Sequence, residues 1–578
     1  MEGLRLAPLP AVAALMMMPA SAPAQSAAAA APPESCGNAG LKLPPGFCAT
    51  LFADELGSAR DMAIAPNGVV YLNTWSRHRP GARIPAGGFL VALQDSTGSG
   101  RANRIERFGP TQEEGARGGV GIALFRNALY VEESDRIERY RLSPDSIVPS
   151  GTPEVIVSGL PLGGDHPMHP FAIDAEGHLY VDVATATNAC QARNRQLHAP
   201  GNRPCTELET RGGIWRFDAN TTAQKFSPAQ RYATGIRNGE GIAIDASGRT
   251  VYVTQHGRDQ LHQNWPELYR PEEEATLPAE EVVRLREGGD YGWPECYYDP
   301  IQAKLVLAPE YGGDGGRTVG ECAAKLAPVA ALPAHWAPDD MVIYTGTSFP
   351  QHYRNGAFIA FHGSWDRAPY PQGGYNVVFQ ALGEGAASAR CEVFADGFAG
   401  EYKEPARAAH RPAGVAVDPH GALYVSDDKH GSIFRIVYQG GDFQGGSVTA
   451  CPAPAAPAGP SEEASLSTAV AEASKLPVPS GSSAEQVALG DEVFHGRGGA
   501  TCAACHGADG RGSETAPDLT RHTPLWGDGS LQSITGIVKS GVPHPRQYAE
   551  PMPPMGGAQL TPEELAAVGA YVWGLSHR

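Results

Sequence analysis

Cys502-Ala503-Ala504-Cys505-His506 carries the most definite chemistry in this sequence. Two thiols at this spacing reach the two vinyl groups on one porphyrin edge, and the next residue places an imidazole on the iron. C-x-x-C-H is therefore the attachment pattern of a c-type haem. A redox C-x-x-C of the thioredoxin kind would follow a βαβ strand, and no such unit precedes this one. Downstream lies Met552-Pro553-Pro554-Met555. A thioether as sixth ligand favours ferrous iron and raises the potential, which suits an electron carrier.

Polar motifs are spread over the preceding 400 positions. They are Asp165-His166, Gly235-Ile236-Arg237-Asn238, His256-Gly257-Arg258-Asp259, and the run from Gly288 to Pro294 (GGDYGWP). Tyr344-Thr345-Gly346, Phe361-His362-Gly363-Ser364-Trp365 and His410-Arg411-Pro412-Ala413-Gly414 follow. Each is weak alone: His166 fits a hairpin-tip histidine as well as an acid–base group, and Arg237-Asn238 fits a turn. Other signatures are missing. Gly119-Val120-Gly121 runs on to Leu124 without the G-x-G-x-x-G of a dinucleotide site. Gly312–Gly316 lacks the Lys-Ser/Thr of a phosphate loop, and Gly346-Thr347-Ser348 is followed by Phe349-Pro350 rather than a nucleophile elbow.

What positions these residues is a repeat. An apolar pair, a short turn (with Gly in four copies and Arg126-Asn127 in one) and an aliphatic-Tyr-aliphatic strand recur at Met62–Leu72, Ile122–Val131, Phe171–Val181, Ile242–Val253 and Val415–Val425, with a looser copy at Met341–Phe361. Alternation about a short turn describes a β-hairpin, and six of them imply units arranged by repetition. Radial closure of such units hides strand edges, so the expected fold is an all-β six-bladed β-propeller over 36–438; a β-sandwich is the alternative. Residues 439–483, with CPAPAAPAGP and PVPSGSS, cannot build a core and read as a semi-rigid tether. A small all-α domain follows over 484–578. Ala484–Phe494 reads as a helix with Gly490 at a close crossing. Thr561-Pro562-Glu563-Glu564 opens the last helix with a capping box, and Leu565, Val568, Val572 and Leu575 share one of its faces.

Gly 70 and Pro 50 make about a fifth of the 578 residues, which argues against a largely helical chain. The net charge of −18 disfavours a nucleic-acid partner, and no apolar run after residue 30 is long enough for a transmembrane span. Residues 1–24 carry Arg5, an apolar stretch and Ala22-Pro23-Ala24, the pattern of a signal peptide, so the expected location is periplasmic or secreted. Disulfides persist in that setting. Eight cysteines outside C-x-x-C-H fall into the sequential pairs Cys36–Cys48, Cys190–Cys205, Cys296–Cys322 and Cys391–Cys451. That pairing is one of 105 connectivities.

Taken in order, the motifs between Leu43 and Val437 resemble the sorbosone and soluble glucose dehydrogenase family, six-bladed propellers that use pyrroloquinoline quinone (PQQ) and calcium. The C-terminal segment resembles a class I cytochrome c. The first resemblance implies that His166 is the general base, with Asp165 in an electrostatic role. Arg237 and Asn238 match the cofactor-binding pair, and the main-chain carbonyls of Gly257 and Arg258 match the calcium ligands. Arg258 stands where proline is frequent in the glucose-oxidising branch. His362, Trp365, Arg367 and Arg411 are further pocket candidates, whereas His335 and Trp336 read as structural. The second resemblance assigns Cys502 and Cys505 to haem attachment and His506 to the iron. It favours Met552 over Met555 as the other axial ligand, the alternative being packing. Together they imply an enzyme oxidising an aldose or sugar aldehyde, with electrons passing from PQQ to haem c and then to a soluble or membrane-bound acceptor. Two rival readings are a calcium-dependent propeller lactonase and a non-catalytic docking module of an electron-transfer complex.

Overall fold

The computed structural model describes residues 37–74, 87–111, 119–367, 370–382, 390–405, 407–440, 449–453 and 476–578, the last with breaks at 496–499, 501, 508–509, 513–515, 522, 544, 549–551 and 559. The signal-peptide stretch and Cys36 lie outside them.

All six repeat copies fold as antiparallel hairpins in the register their alternation dictates. Met62 pairs with Leu72, Ile122 with Val131, Phe171 with Val181, Ile242 with Val253, Val415 with Val425 and Met341 with Ile359. Each hairpin is the inner half of a sheet of four or five strands, and six such sheets form the propeller. The ring closes by exchange of a strand. Phe47–Ala53, the first strand of the chain, pairs with Ser432–Tyr438 in the last blade, Phe47 opposite Tyr438.

Apolar clusters between blades hold the ring. Tyr71 of the first blade packs with Leu129 of the second, Tyr130 with Leu179 of the third, and Tyr180 with Val253 of the fourth. Tyr252 packs with Ile359 of the fifth, Phe358 with Val425 of the sixth, and Tyr424 returns to Leu72 of the first. The aromatic of each repeat, Tyr in five copies and Phe358 in the looser one, is thus the side chain that crosses from blade to blade, burying an apolar ring at each seam.

Disulfides join Cys190–Cys205, Cys296–Cys322 and Cys391–Cys451. Cys48 is also disulfide-bonded. Thr449–Ala450 adds an edge strand to the fifth blade beside Glu392–Ala395. The propeller's last described contact therefore lies inside the stretch 439–483 expected as tether.

The C-terminal unit is helical: Ala484–Phe494, Cys502–His506, Leu531–Ser540 and Pro562–Ser576. A Cβ built on Gly490 would stand 2.0 Å from the carbonyl oxygen of Ala567, so only glycine permits this helix crossing. The Thr561–Glu564 capping box is formed in both directions. Val568, Val572 and Leu575 are buried on the expected face. Among the described residues no helix is long and apolar enough to cross a membrane.

Candidate functional site

In an antiparallel hairpin the entry to the first strand and the exit from the second lie at the same end. Residues just before or just after each inner hairpin therefore gather at one mouth of the propeller. His166 precedes Phe171–Ile173, Arg237-Asn238 precede Ile242–Ile244, and Arg411 precedes Pro412–Val417. His256–Asp259 follow Val251–Gln255, and His362–Arg367 follow Ala357–Phe361.

His166 Nδ1 lies 3.2 Å from the Thr185 carbonyl oxygen and 3.3 Å from Thr185 Oγ1. Thr185 Oγ1 donates its own proton to the Thr187 carbonyl at 2.9 Å. Both neighbours of Nδ1 thus accept, which assigns the ring proton to Nδ1 and leaves a lone pair on Nε2. Burial holds the imidazole well below its ordinary range, and the Arg237 and Arg195 guanidiniums and His256 push the same way. His166 is neutral at pH 7.

Asp165 does not touch that ring. Its carboxylate accepts from Arg195 Nε at 2.9 Å and from Asn194 Nδ2 at 3.0 Å. Arg195 Nη2 then reaches Asp259 Oδ2 at 2.9 Å, and Arg237 Nη2 reaches the same oxygen at 2.8 Å. Arg237 Nη1 donates to the Gly257 carbonyl at 2.9 Å. Burial alone would raise the Asp259 carboxyl, but these two guanidiniums hold it far below the usual carboxylate range. Asp165 thus acts on the site through Arg195.

Asn238 Nδ2 donates to Glu240 Oε1 at 3.0 Å, while its Oδ1 is buried without a donor, as is His256 Nε2 without a hydrogen-bond partner. Arg258 is bound bidentate to Glu310 at 2.5 and 2.6 Å, so its side chain anchors the loop. Arg411 donates to the carbonyls of His362 and Gly363. His362 bridges Asp428 (2.9 Å) and Asp339 (3.5 Å). Trp365 is half-buried under Arg195, 5.9 Å from guanidinium carbon to ring centroid. Arg367 points elsewhere: it donates to the carbonyls of Ala275, Ala334 and Pro371, and burial lowers it to about 10. His335 and Trp336 are buried.

Sequence reasoning missed Arg60, the hub of the mouth. Its guanidinium pairs with Glu240 (2.7 Å), Asp339 (3.1 Å) and Asp428 (3.2 Å). Arg195 and Thr185 were missed as well. One signal was available for Arg60, Glu240 and Asp339: each stands two residues ahead of an apolar repeat copy, where the first strand meets the axis.

The site suits a flat, polyanionic quinone. Guanidiniums, a half-buried indole and two unsatisfied buried atoms, Asn238 Oδ1 and His256 Nε2, converge at one mouth, and such atoms call for a ligand. Arg237 takes one of the two lone pairs of the Gly257 carbonyl, leaving the other for a cation.

In the helical unit an apolar cavity of about 1310 Å³, its open mouth included, is lined by Cys502, Cys505, His506, Met552, Trp526 and Val572 among others. His506 Nδ1 donates to the Pro517 carbonyl at 2.9 Å, which leaves Nε2 as the nitrogen that would bind a haem iron. Burial lowers His506 and pushes the Cys502 thiol up to about 12. Met552 lines the cavity, and Met552 and Met555 both pack against the domain's core. The cavity's chemistry fits a covalently attached haem.

Residues 41–439 match the TrAA12-like family and residues 487–576 match cytochrome c. A pyrroloquinoline quinone-dependent pyranose dehydrogenase of Coprinopsis cinerea is 28% identical over 236 residues, which is 35% of this chain and 30% of that protein. The aligned stretch therefore spans under a third of that relative's length. An uncharacterized protein of Borreliella burgdorferi is 26% identical over 55% of this chain and 76% of its own. The cbb3-type cytochrome c oxidase subunit CcoP of Rubrivivax gelatinosus is 37% identical over 92 residues, 16% of this chain and 27% of that one. The calcium structure of Trichoderma reesei carbohydrate-active enzymes family AA12 superposes with a TM-score of 0.54 at 17% identity, covering 70% of this chain and 98% of that one. That likeness establishes the fold. With more than half of its length inside one family match, the chain belongs to the TrAA12-like family and carries a cytochrome c domain behind the propeller.

Proposed function

We propose that the chain is a quinohaemoprotein dehydrogenase that oxidises an aldose or sugar aldehyde in the periplasm or outside the cell and delivers the electrons, through its haem c, to an external acceptor. The pyranose dehydrogenase relative supports a sugar-class substrate. The observation that carries the reading is His166. A neutral imidazole with Nδ1–H fixed on Thr185 and a bare Nε2 at the propeller mouth is a general base ready at pH 7.

PQQ, when bound, supplies a two-electron acceptor for the hydride leaving the substrate carbon. Arg237, Asn238, Arg411, His362 and Trp365 would hold it, and the Gly257 and Arg258 carbonyls would hold its calcium. The protein's own contribution is proton management and electrostatics. His166 Nε2 takes the substrate hydroxyl proton, and Thr185 keeps the ring turned while it does so. Asp165 fixes Arg195, and Arg195 and Arg237 together keep Asp259 ionised. In the second domain Cys502 and Cys505 would carry the porphyrin, with His506 and Met552 on the iron.

Gly557, in the turn after Met555, lies against Gln263, a would-be Cβ standing 2.9 Å from its Cγ. Gln263 is four residues beyond Asp259, so the haem domain touches the propeller beside the quinone loop. Anaerobic addition of aldose or sugar aldehyde to PQQ- and Ca²⁺-loaded protein is expected to turn the haem ferrous. A haem that stays ferric with every such compound overturns the proposal.

A further inference from the structure

A second cluster, around Asp259, brings together buried acceptor atoms that have no donor. His335 Nε2 sits 2.8 Å from the Glu274 carbonyl and 3.0 Å from the Leu277 carbonyl. Carbonyls only accept, so Nε2 holds the ring proton and Nδ1 is a lone pair, buried and without a partner. Asp366 Oδ2 accepts from the Gln260 backbone N–H at 2.7 Å, but its Oδ1 has no donor. Neither oxygen of Glu274 has one, although the side chain is buried. Asp259 spends Oδ2 on Arg195 and Arg237, and its Oδ1 stands 4.0 Å from His335 Nδ1. Ligand atoms of Asp259, His335 and Asp366 lie within 4.8 Å of one another, and the Glu274 carboxyl is in hydrogen-bonding reach of Asp366.

Such a group needs a positive centre among its lone pairs. The other acid–histidine cluster, Glu240, His256 and Asp339, already has one in Arg60. The guanidiniums of Arg195 and Arg237 bond Asp259 through its Oδ2. Burial pushes both carboxyls upward, with Asp366 repelling Glu274 and Asp259 repelling Asp366, and the guanidiniums of Arg258 and Arg195 offset this only in part.

We propose that His335, Asp366 and Asp259 Oδ1, with Glu274 beside Asp366, form a divalent-cation site for a first-row ion such as Mn²⁺ or Zn²⁺. The imidazole nitrogen separates it from calcium, which takes oxygen ligands, whereas carboxylates with one imidazole suit first-row ions. The site uses side chains under the quinone loop, not the Gly257 and Arg258 carbonyls. Its ion would fix Asp259 from below while Arg195 and Arg237 fix it from above.

The test uses the full haem-loaded chain without PQQ, so it is independent of the dehydrogenase reading. After loading with Mn²⁺ or Zn²⁺ and dialysis against metal-free buffer, elemental analysis is expected to find one such ion per chain besides iron. Asp366→Asn with Glu274→Gln is expected to lose it. In the unsubstituted chain a chelator is expected to lower the thermal midpoint, with Mn²⁺ or Zn²⁺ restoring it and Ca²⁺ failing to. If no first-row ion is retained, or the double variant retains it, or Ca²⁺ alone restores the midpoint, the proposal is wrong and the acids are held neutral by protons instead.

Discussion

At His166 the chemistry turns on which ring nitrogen holds the proton, and Thr185 decides that by offering only acceptors. Replacing His166 with Gln keeps the volume and removes the base, so kcat is expected to fall by about 10²–10⁴-fold while PQQ still binds. An unchanged kcat would move the base elsewhere. The neutral imidazole is the active form and its pKa lies well below 6.5. Activity attributable to His166 is therefore expected to persist as pH falls through 6.5 and to drop only at lower pH, which a kcat/KM profile reads directly. Arg60 invites a different test. Arg60→Met leaves Glu240, Asp339 and Asp428 buried without their guanidinium, with His362 and Asn238 among their remaining partners, a loss on the order of 3–5 kcal/mol in denaturant unfolding. The stranded carboxylates would hold protons more tightly folded than unfolded, so the variant's deficit is expected to grow as pH rises from 5 to 8. A pH-independent deficit would mean that Arg60 matters through packing.

Each inner hairpin was legible because side-chain alternation and turn position fix register together, and a one-residue slip would turn every buried side chain outward. Tyr130 and Tyr424, for instance, sit where the repeat puts them. The closing strand Phe47–Ala53 was not legible, because its partner Ser432–Tyr438 is nearly 400 residues away and nothing local to either names the other. The same reason hid the Arg60 hub, whose partners come from three other blades, whereas His166 and Arg237 were singled out because ordered motifs carry them. In the small domain, local signals sufficed: Gly490 and the Thr561 cap mark where helices cross and begin. Gly490→Val would drive side-chain atoms into the Ala567 backbone, which cannot yield as a side chain does. Overpacking of this kind costs about 1–3 kcal/mol or more. The haem absorbance is expected to be lost at lower temperature, while dye-linked sugar oxidation by the propeller is unaffected. Equal loss of both would mean that the two domains unfold as one unit.

For the whole molecule, the fusion itself is the argument. Sugar oxidation releases two electrons and a haem iron takes one at a time, so a nearby acceptor must be met twice for each turnover. Between the propeller's last strand, Thr449–Ala450, and the helical unit, the sequence is rich in Pro, Ala and Ser. Tethering of this kind gives an effective acceptor concentration on the order of mM, far above that of a free cytochrome at assay dilution. Contact of Gly557 with Gln263 places the docked haem domain next to the loop that carries Asp259. Haem reduction after mixing with sugar is therefore expected to be first-order, with a rate constant independent of protein concentration. Inserting a protease site within 454–475 and cutting it would turn the same step into a concentration-dependent one, with dye-linked oxidation unchanged. Cys502→Ser with Cys505→Ser would leave dye reduction and abolish transfer to the external acceptor. If reduction of the intact chain already depends on its concentration, electrons pass between molecules, and the tether serves some purpose other than the relay.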